Sequence, residues 1–180
     1  MPDCIDLHLH TTLSDGALTP SELLEKVRAA SLVAFAVADH DTVEGYRQTQ
    51  ALLRPGDPEL ITGLELSVAM KGADLHMLAY LFDPDHEELC ETLRGFREAR
   101  KLRGDKMVRK LNEQGLDLRF EAVLEAANGS AIGRPHIAVA MVKQGLAGSV
   151  DDAFRRYIGD HCPAYIPKSM ISLMKTNLNY

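Results

Sequence analysis

The 180-residue chain predicts an α/β fold in which a parallel sheet comes first and a helical subdomain follows as an insertion. Three observations predict it. Apolar, β-rich runs alternate with amphipathic helical stretches up to residue 82. The first three runs are separated by connections long enough to cross over a sheet, as parallel neighbours require. From Asp83 to about Gly159 only helical signals remain.

The first strand is Ile5–His10. Ile5, Leu7 and Leu9 alternate with Asp6, His8 and His10, so the two imidazoles project from one face. A helix starts at Thr19-Pro20-Ser21-Glu22, where Thr19 suits the N-cap, Pro20 the first helical position and Glu22 a capping box. Leu23, Leu24 and Val27 form its apolar face. The run Leu32–Ala38 is the second strand and stops at Asp39-His40-Asp41-Thr42. A helix over about Val43–Leu53 leads to a Pro55-Gly56-Asp57-Pro58 turn. Strands Leu60–Val68 and Leu75–Phe82 complete the order βαβαββ. Four helices are expected next, over about His86–Gln114, Glu121–Ala127, Pro135–Gly145 and Val150–Tyr157. A short extended piece, Ala164–Pro167, precedes a polar tail.

Composition narrows the function. The chain is 46% hydrophobic and 26% charged, as in ordinary globular proteins. A net charge of −6 argues against general binding of duplex nucleic acid, which needs a basic surface. A small phosphorylated ligand stays compatible, because a bound cation reverses the local field. Cys4, Cys90 and Cys162 form no CxxC pair, which fits a reducing cytoplasm and neither a zinc ribbon nor a disulfide framework. No stretch is long enough to span a membrane, and the acidic N-terminus lacks the pattern of a secretory signal.

Ligands of parallel α/β sheets collect at the carboxyl ends of the strands. His8 and His10 end the first strand, and Asp15 lies in the loop after it. Asp39, His40 and Asp41 end the second. Glu65 lies in the third, within Gly63-Leu64-Glu65-Leu66-Ser67, and His76 in the fourth. Alone, Glu65 would face solvent and His76 would be a core imidazole. Their corresponding positions on successive strands point instead to one rim. Imidazoles with carboxylates and no thiolates suit Zn²⁺, Mn²⁺ or Fe²⁺. Several carboxylates at one mouth favour more than one ion, with Glu65 able to bridge two, and such centres hydrolyse phosphate esters.

The ordered segments His8-Leu9-His10, Ser14-Asp15-Gly16, Ala38-Asp39-His40-Asp41, Gly63-Leu64-Glu65-Leu66-Ser67 and His76-Met77-Leu78-Ala79-Tyr80 resemble the PHP (polymerase and histidinol phosphatase) superfamily. The resemblance implies a distorted seven-stranded β/α barrel with up to three divalent ions. His8, His10 and Glu65 would hold one, Glu65 and His76 would contribute to a second, and Asp15 and His40 to a third. It divides the chain into residues 1–82, the N-terminal part of the barrel, 83–163, a helical insertion, and 164–180, a return segment and tail. Gly133-Arg134-Pro135-His136-Ile137 is similar to a segment of one branch. That branch contains phosphatases of 3′,5′-nucleoside bisphosphates and enzymes that trim short oligoribonucleotides from the 5′ end. The resemblance puts Arg134 and His136 at the substrate phosphate and makes Glu65, Arg134 and His136 the catalytic set. An arginine fork suits phosphate oxygens, and Pro135 fits a helix start with free amides. The plainer alternative is that both residues cap a surface helix. Histidinol phosphate is the alternative substrate, and the Arg-Pro-His segment argues against it.

Weaker signals are read as structural. Arg94, Arg97, Arg100, Lys101, Arg103, Lys106, Arg109 and Lys110 are expected to form a solvated helix face, with a phosphate-attracting wall as the alternative. His86 and His161 are expected at the surface, Cys4 in packing and Cys90 in the core.

The resemblance also implies further strands with later ligands, a His followed by Pro and an Asp-x-His pair, which residues 168–180 do not supply. The sequence therefore predicts an incomplete barrel with fewer ions than the family site. An open sheet edge of this kind invites self-association. Truncation of an ordinary enzyme is the favoured explanation. A partner completing the barrel in trans, or a non-catalytic metal- or nucleotide-binding module, are the others.

Overall fold

The computed structural model describes residues 4–70, 73–167 and 171–172. It forms two compact units, Met1–Arg94 with Met170–Tyr180, and Gly95–Ser169.

The first unit contains β1 (Cys4–Leu9), α1 (Pro20–Ala29), β2 (Leu32–Val37), α2 (Glu44–Ala51), β3 (Glu59–Met70), β4 (Ala73–Tyr80) and the two-residue β5 (Ile171–Ser172). The sheet is a curled half-barrel with strand order β1-β2-β3-β4. β1 and β2 pair in parallel, as do β2 and β3, in keeping with their crossover connections. β4 returns antiparallel on β3, from Gly63↔Tyr80 to Met70↔Ala73. The strand ends at Tyr80 and not at Phe82, because Leu81 turns the chain with φ 59°.

The fifth strand lies within the stretch read from the sequence only as a polar tail. β3 is 12 residues long, and its pairing with β2 stops at Thr62. Its far end would leave backbone groups unpaired on that edge. β5 pairs there in parallel, at Val68 and Ala69. Residues 165–167 carry no regular element, and the rest of the tail lies outside the described residues.

The capping box of α1 is formed: Thr19 Oγ1 accepts from Glu22 N at 3.3 Å, and Glu22 Oε2 accepts from Thr19 N at 2.9 Å. Leu23, Leu24 and Val27 then pack with Phe35 and Val37 of β2. Each such side chain contributes about 1.5–3 kcal/mol through burial.

The second unit takes α3 (Glu87–Glu113) from Gly95 onward, then α4 (Phe120–Ala127), α5 (Arg134–Lys143) and α6 (Val150–Ala153), which runs into a π-helical turn over Phe154–Ile158. It has its own core, with Met107, Leu111, Leu118, Val123, Ile137, Met141 and Ile158 almost fully buried. Gly115 (φ 89°) follows α3, and Asn128 (φ 45°) caps α4 in the left-handed region.

The basic row on α3 is only partly a solvated face. Arg103 is 9% exposed; its Nε donates to Ile166 O at 2.6 Å, and its guanidinium lies 5.6 Å over the Tyr165 ring. Arg97 Nη2 donates to Gly129 O at 2.8 Å and Lys110 Nζ to Pro163 O at 3.2 Å. A helix of 27 residues presents such a row around its circumference, so some members meet the core. Cys4 is exposed, against the packing expectation, because the edge strand β1 is half-open. Cys90 is half-buried beside Arg47 Nη2 at 3.6 Å. His86 and His161 are exposed. Among the described residues no helix is long and apolar enough to cross a membrane.

Candidate metal centre

Two backbone devices place the candidate ligands. After β1 the chain folds into a tight loop: Ser14 N and Gly16 N both donate to Thr11 O, at 3.1 and 2.9 Å. A Cβ on Gly16 would lie 2.3 Å from His10 O, so only glycine lets the loop close. This holds His10 and Asp15 on one side of the turn. After β2 the backbone continues between β1 and β3: Ala38 N donates to Leu9 O at 2.8 Å, Glu65 N to Asp39 O at 3.2 Å and Asp41 N to Glu65 O at 3.0 Å. An isolated parallel bridge joins His40 and Glu65. Asp41 then turns the chain in the left-handed region, φ 54°, and its Oδ1 accepts from Ser67 N at 2.8 Å.

Glu65 is 4% exposed and lies at the middle of the cluster. Its Oε2 lies 2.9 Å from His8 Nε2, 3.1 Å from His10 Nε2 and 3.6 Å from His40 Nε2. Its Oε1 lies 2.7 Å from His76 Nδ1. Asp15 adds Oδ1 at 3.5 Å from His10 Nδ1 and Oδ2 at 3.4 Å from His40 Nε2. Successive rings are 5.0, 5.0 and 4.6 Å apart from His8 through His10 and His40 to His76.

Electrostatics couple these groups. Burial pushes Glu65 up, but the His8 hydrogen bond and the charges of His40, His76 and His10 outweigh it, and its carboxyl titrates below the ordinary range. The hydrogen bond from His40 holds Asp15 down at about 2. Burial is the largest influence on His10 and lowers it, against the pull of Asp15. The cluster thus presents ionised acids and an imidazole biased toward its neutral, ligating form.

The donor set fits a divalent cation. Three groups, His8–His10–Glu65, His10–Asp15–His40 and His40–Glu65–His76, each offer donor atoms within 4.8 Å of one another. One carboxylate contacted by four imidazole nitrogens is crowded with lone pairs unless a cation or protons lie between them. His40 Nδ1 is buried without a hydrogen-bond partner among the described residues. A buried nitrogen of this kind carries a desolvation cost.

The structure therefore brings His8, His10, Asp15, His40, Glu65 and His76 together in the first unit. Arg134 and His136 belong to the second. Arg134 Nη1 lies 2.5 Å from Asp160 Oδ1 and 3.3 Å from Ile158 O, with its guanidinium over Phe154 and Tyr165. His136 Nδ1 accepts from Gly133 N at 3.0 Å and thereby caps the start of α5, as the plainer alternative has it.

Sequence reasoning missed the supports. Thr11, Gly45 and Tyr80 carry no ligand signature. Tyr80 Oη donates to Leu7 O at 2.8 Å and ties β4 to β1. Gly45 sits in the first turn of α2, where glycine is a poor helix former, and that misfit was the available signal.

The chain is similar to several known proteins. The PHP domain family profile matches residues 6–158. A 5′-3′ exoribonuclease of Haemophilus influenzae is 31% identical over 161 residues, covering 89% of this chain and 58% of that protein. A 3′,5′-nucleoside bisphosphate phosphatase of Chromobacterium violaceum is 30% identical over 170 residues, covering 94% and 60%. A crystal structure from Bifidobacterium adolescentis, described as a metal-dependent phosphoesterase, superposes with a TM-score of 0.84 at 32% identity, covering 96% of this chain and 61% of that one. The chain thus spans about three-fifths of the length of these relatives.

Proposed function

Since this chain belongs to the PHP domain family, we propose that it is a metal-dependent phosphoesterase that hydrolyses a phosphomonoester on a nucleotide-like substrate. A 3′,5′-bisphosphonucleotide or a short oligoribonucleotide is the class favoured by its relatives' activities. The observation that carries the reading is the buried Glu65 carboxylate met by four imidazole nitrogens.

Bound divalent cations, of manganese, zinc or iron, supply an activated water at neutral pH and offset charge on the phosphoryl oxygens. This chain's residues do the rest. His8, His10 and Glu65 hold one ion, Glu65 and His76 contribute to a second, and Asp15 with His40 to a third. Arg134 and His136 bind the phosphate through a charged fork and an imidazole N–H. Asp160, the present partner of Arg134, is 74% exposed, so that pair is weak and yields to a doubly charged phosphate. Residues 1–82 supply the barrel part, 83–163 the insertion and 164–180 the return segment. Three cysteines far apart in the chain and without a CxxC pair fit a reducing cytoplasm.

The test is elemental analysis of the purified chain beside turnover of a 3′,5′-bisphosphonucleotide, a 5′-phosphorylated oligoribonucleotide and histidinol phosphate. The expected result is bound metal and preference for the first two. Glu65→Ala should release the metal and abolish turnover; full activity in that variant rejects the bridging carboxylate. Metal uptake without turnover of any substrate rejects catalysis by this chain and favours a binding module.

One observation supports self-association as well. Among the described residues β4 pairs on one side only, and its Leu75, Met77 and Leu78 are 37–40% exposed. An apolar, unpaired edge is a template for a second copy. Mass in solution should rise with concentration, and Leu78→Lys should abolish the rise. A monomer at every concentration overturns this assignment.

A further inference from the structure

We propose that Asp39 and Ser14 are positioning residues that form a relay fixing which nitrogen of His10 keeps its proton. The inference rests on the metal-centre reading above and extends it to residues that touch no ion.

Ser14 Oγ lies 2.6 Å from Asp39 Oδ1, but 3.4 Å from His10 Nδ1 and 3.4 Å from Asp15 Oδ1. A hydroxyl has one proton, and the short contact to a carboxylate takes it. Toward His10, Ser14 can then offer only lone pairs. Asp15 Oδ1, 3.5 Å from the same nitrogen, is also an acceptor. Among the described residues Nδ1 of His10 therefore faces acceptors alone and is the nitrogen that carries hydrogen. Nε2, 3.1 Å from Glu65 Oε2, is left with its lone pair for a shared cation. Ligating histidines commonly have their other nitrogen bound by a carboxylate; here a serine is interposed between the two.

Asp39 is built for this. It is 1% exposed, and its Oδ1 also accepts from Thr11 N at 2.7 Å while Oδ2 accepts from Thr11 Oγ1 at 2.6 Å. Three donors keep the carboxylate oriented as an acceptor. Thr11 Oγ1 in turn accepts from Leu13 N at 3.2 Å, so its own proton is directed to Asp39. The backbone around Asp39 is fixed on both sides, through Ala38 N to Leu9 O and Glu65 N to Asp39 O.

The test uses the zinc-loaded chain. Zinc affinity is measured by competition with a chelator, and the histidine ring N–H groups are followed by ¹⁵N-edited NMR. In the unsubstituted chain His10 should show a protected Nδ1–H. Ser14→Ala should weaken zinc binding about 10–100-fold and expose that N–H to rapid solvent exchange. Asp39→Asn can keep an oxygen toward Ser14 and Thr11 N, so it should retain the protected N–H. A merely structural contribution would not separate the two variants in this way. Unchanged zinc affinity and N–H exchange in folded Ser14→Ala overturns the relay alone. Failure of the unsubstituted chain to take up zinc overturns the metal-centre reading with it.

Discussion

Gly45 lacks a side chain because Asp39 occupies that space. A Cβ there would lie 1.8 Å from Asp39 Oδ2 and 2.8 Å from Thr11 Oγ1. Asp39 cannot retreat without giving up Thr11 and Ser14. Gly45→Ala should therefore cost about 1–3 kcal/mol of stability, read by urea denaturation, and should weaken metal uptake at the same time. A neutral effect on both would mean the carboxylate has another place to go. At this scale the sequence was legible where chemistry and spacing coincide. His8 and His10 follow from strand alternation, and Glu65 and His76 stand out as polar residues in apolar strands. The supports were illegible because their partners are remote: Thr11 and Ser14 meet an aspartate 28 and 25 residues away. Arg103 was misread for the same reason, since its acceptor Ile166 lies 63 residues on.

Between elements, Asp57 clamps α1 to the turn before β3. Arg28 Nε and Nη2 donate to its two oxygens at 2.7 and 2.6 Å, and Arg54 N donates to Oδ2 at 2.7 Å. The guanidinium of Arg28 holds the Asp57 carboxyl down at about 2. A depressed carboxyl contributes stability that is full above its unfolded value, near 3.8, and is lost as pH falls through about 2. Asp57→Asn should thus lower the melting temperature at neutral pH, and its gap from the unsubstituted chain should close between about pH 4 and 2. A gap that persists at pH 2 would place the effect outside the ion pair. Elements with local signals were readable in advance. The α1 boundary follows from Thr19, Pro20 and Glu22, and the α3 stop from Gly115. β5 was not readable, because a two-residue strand is set by the unpaired edge of β3 and has no periodicity of its own.

At the scale of the molecule, the two cores share no buried residue among the described residues: one is gathered on α1 and β2, the other on α3 to α6. A cavity in one should therefore weaken that one. Met141→Ala, at a position with 0% exposure, should cost the helical unit about 2–5 kcal/mol. Hydrogen exchange should rise across α4 and α5 while β1 and β2 stay protected and zinc uptake persists. Equal loss of protection in both would show one cooperative unit. Glu65 belongs to the better protected part by construction, since its backbone is bridged to His40 on one side and to Leu78 on the other. The outer donors have looser moorings, His10 and Asp15 on a loop and His8 on an edge strand. Selection acting on such a centre can adjust its periphery while its anchor holds still. Substitutions in the β1–α1 loop that spare Thr11, Ser14 and Gly16 can thus shift the outer donors without rebuilding the sheet beneath them.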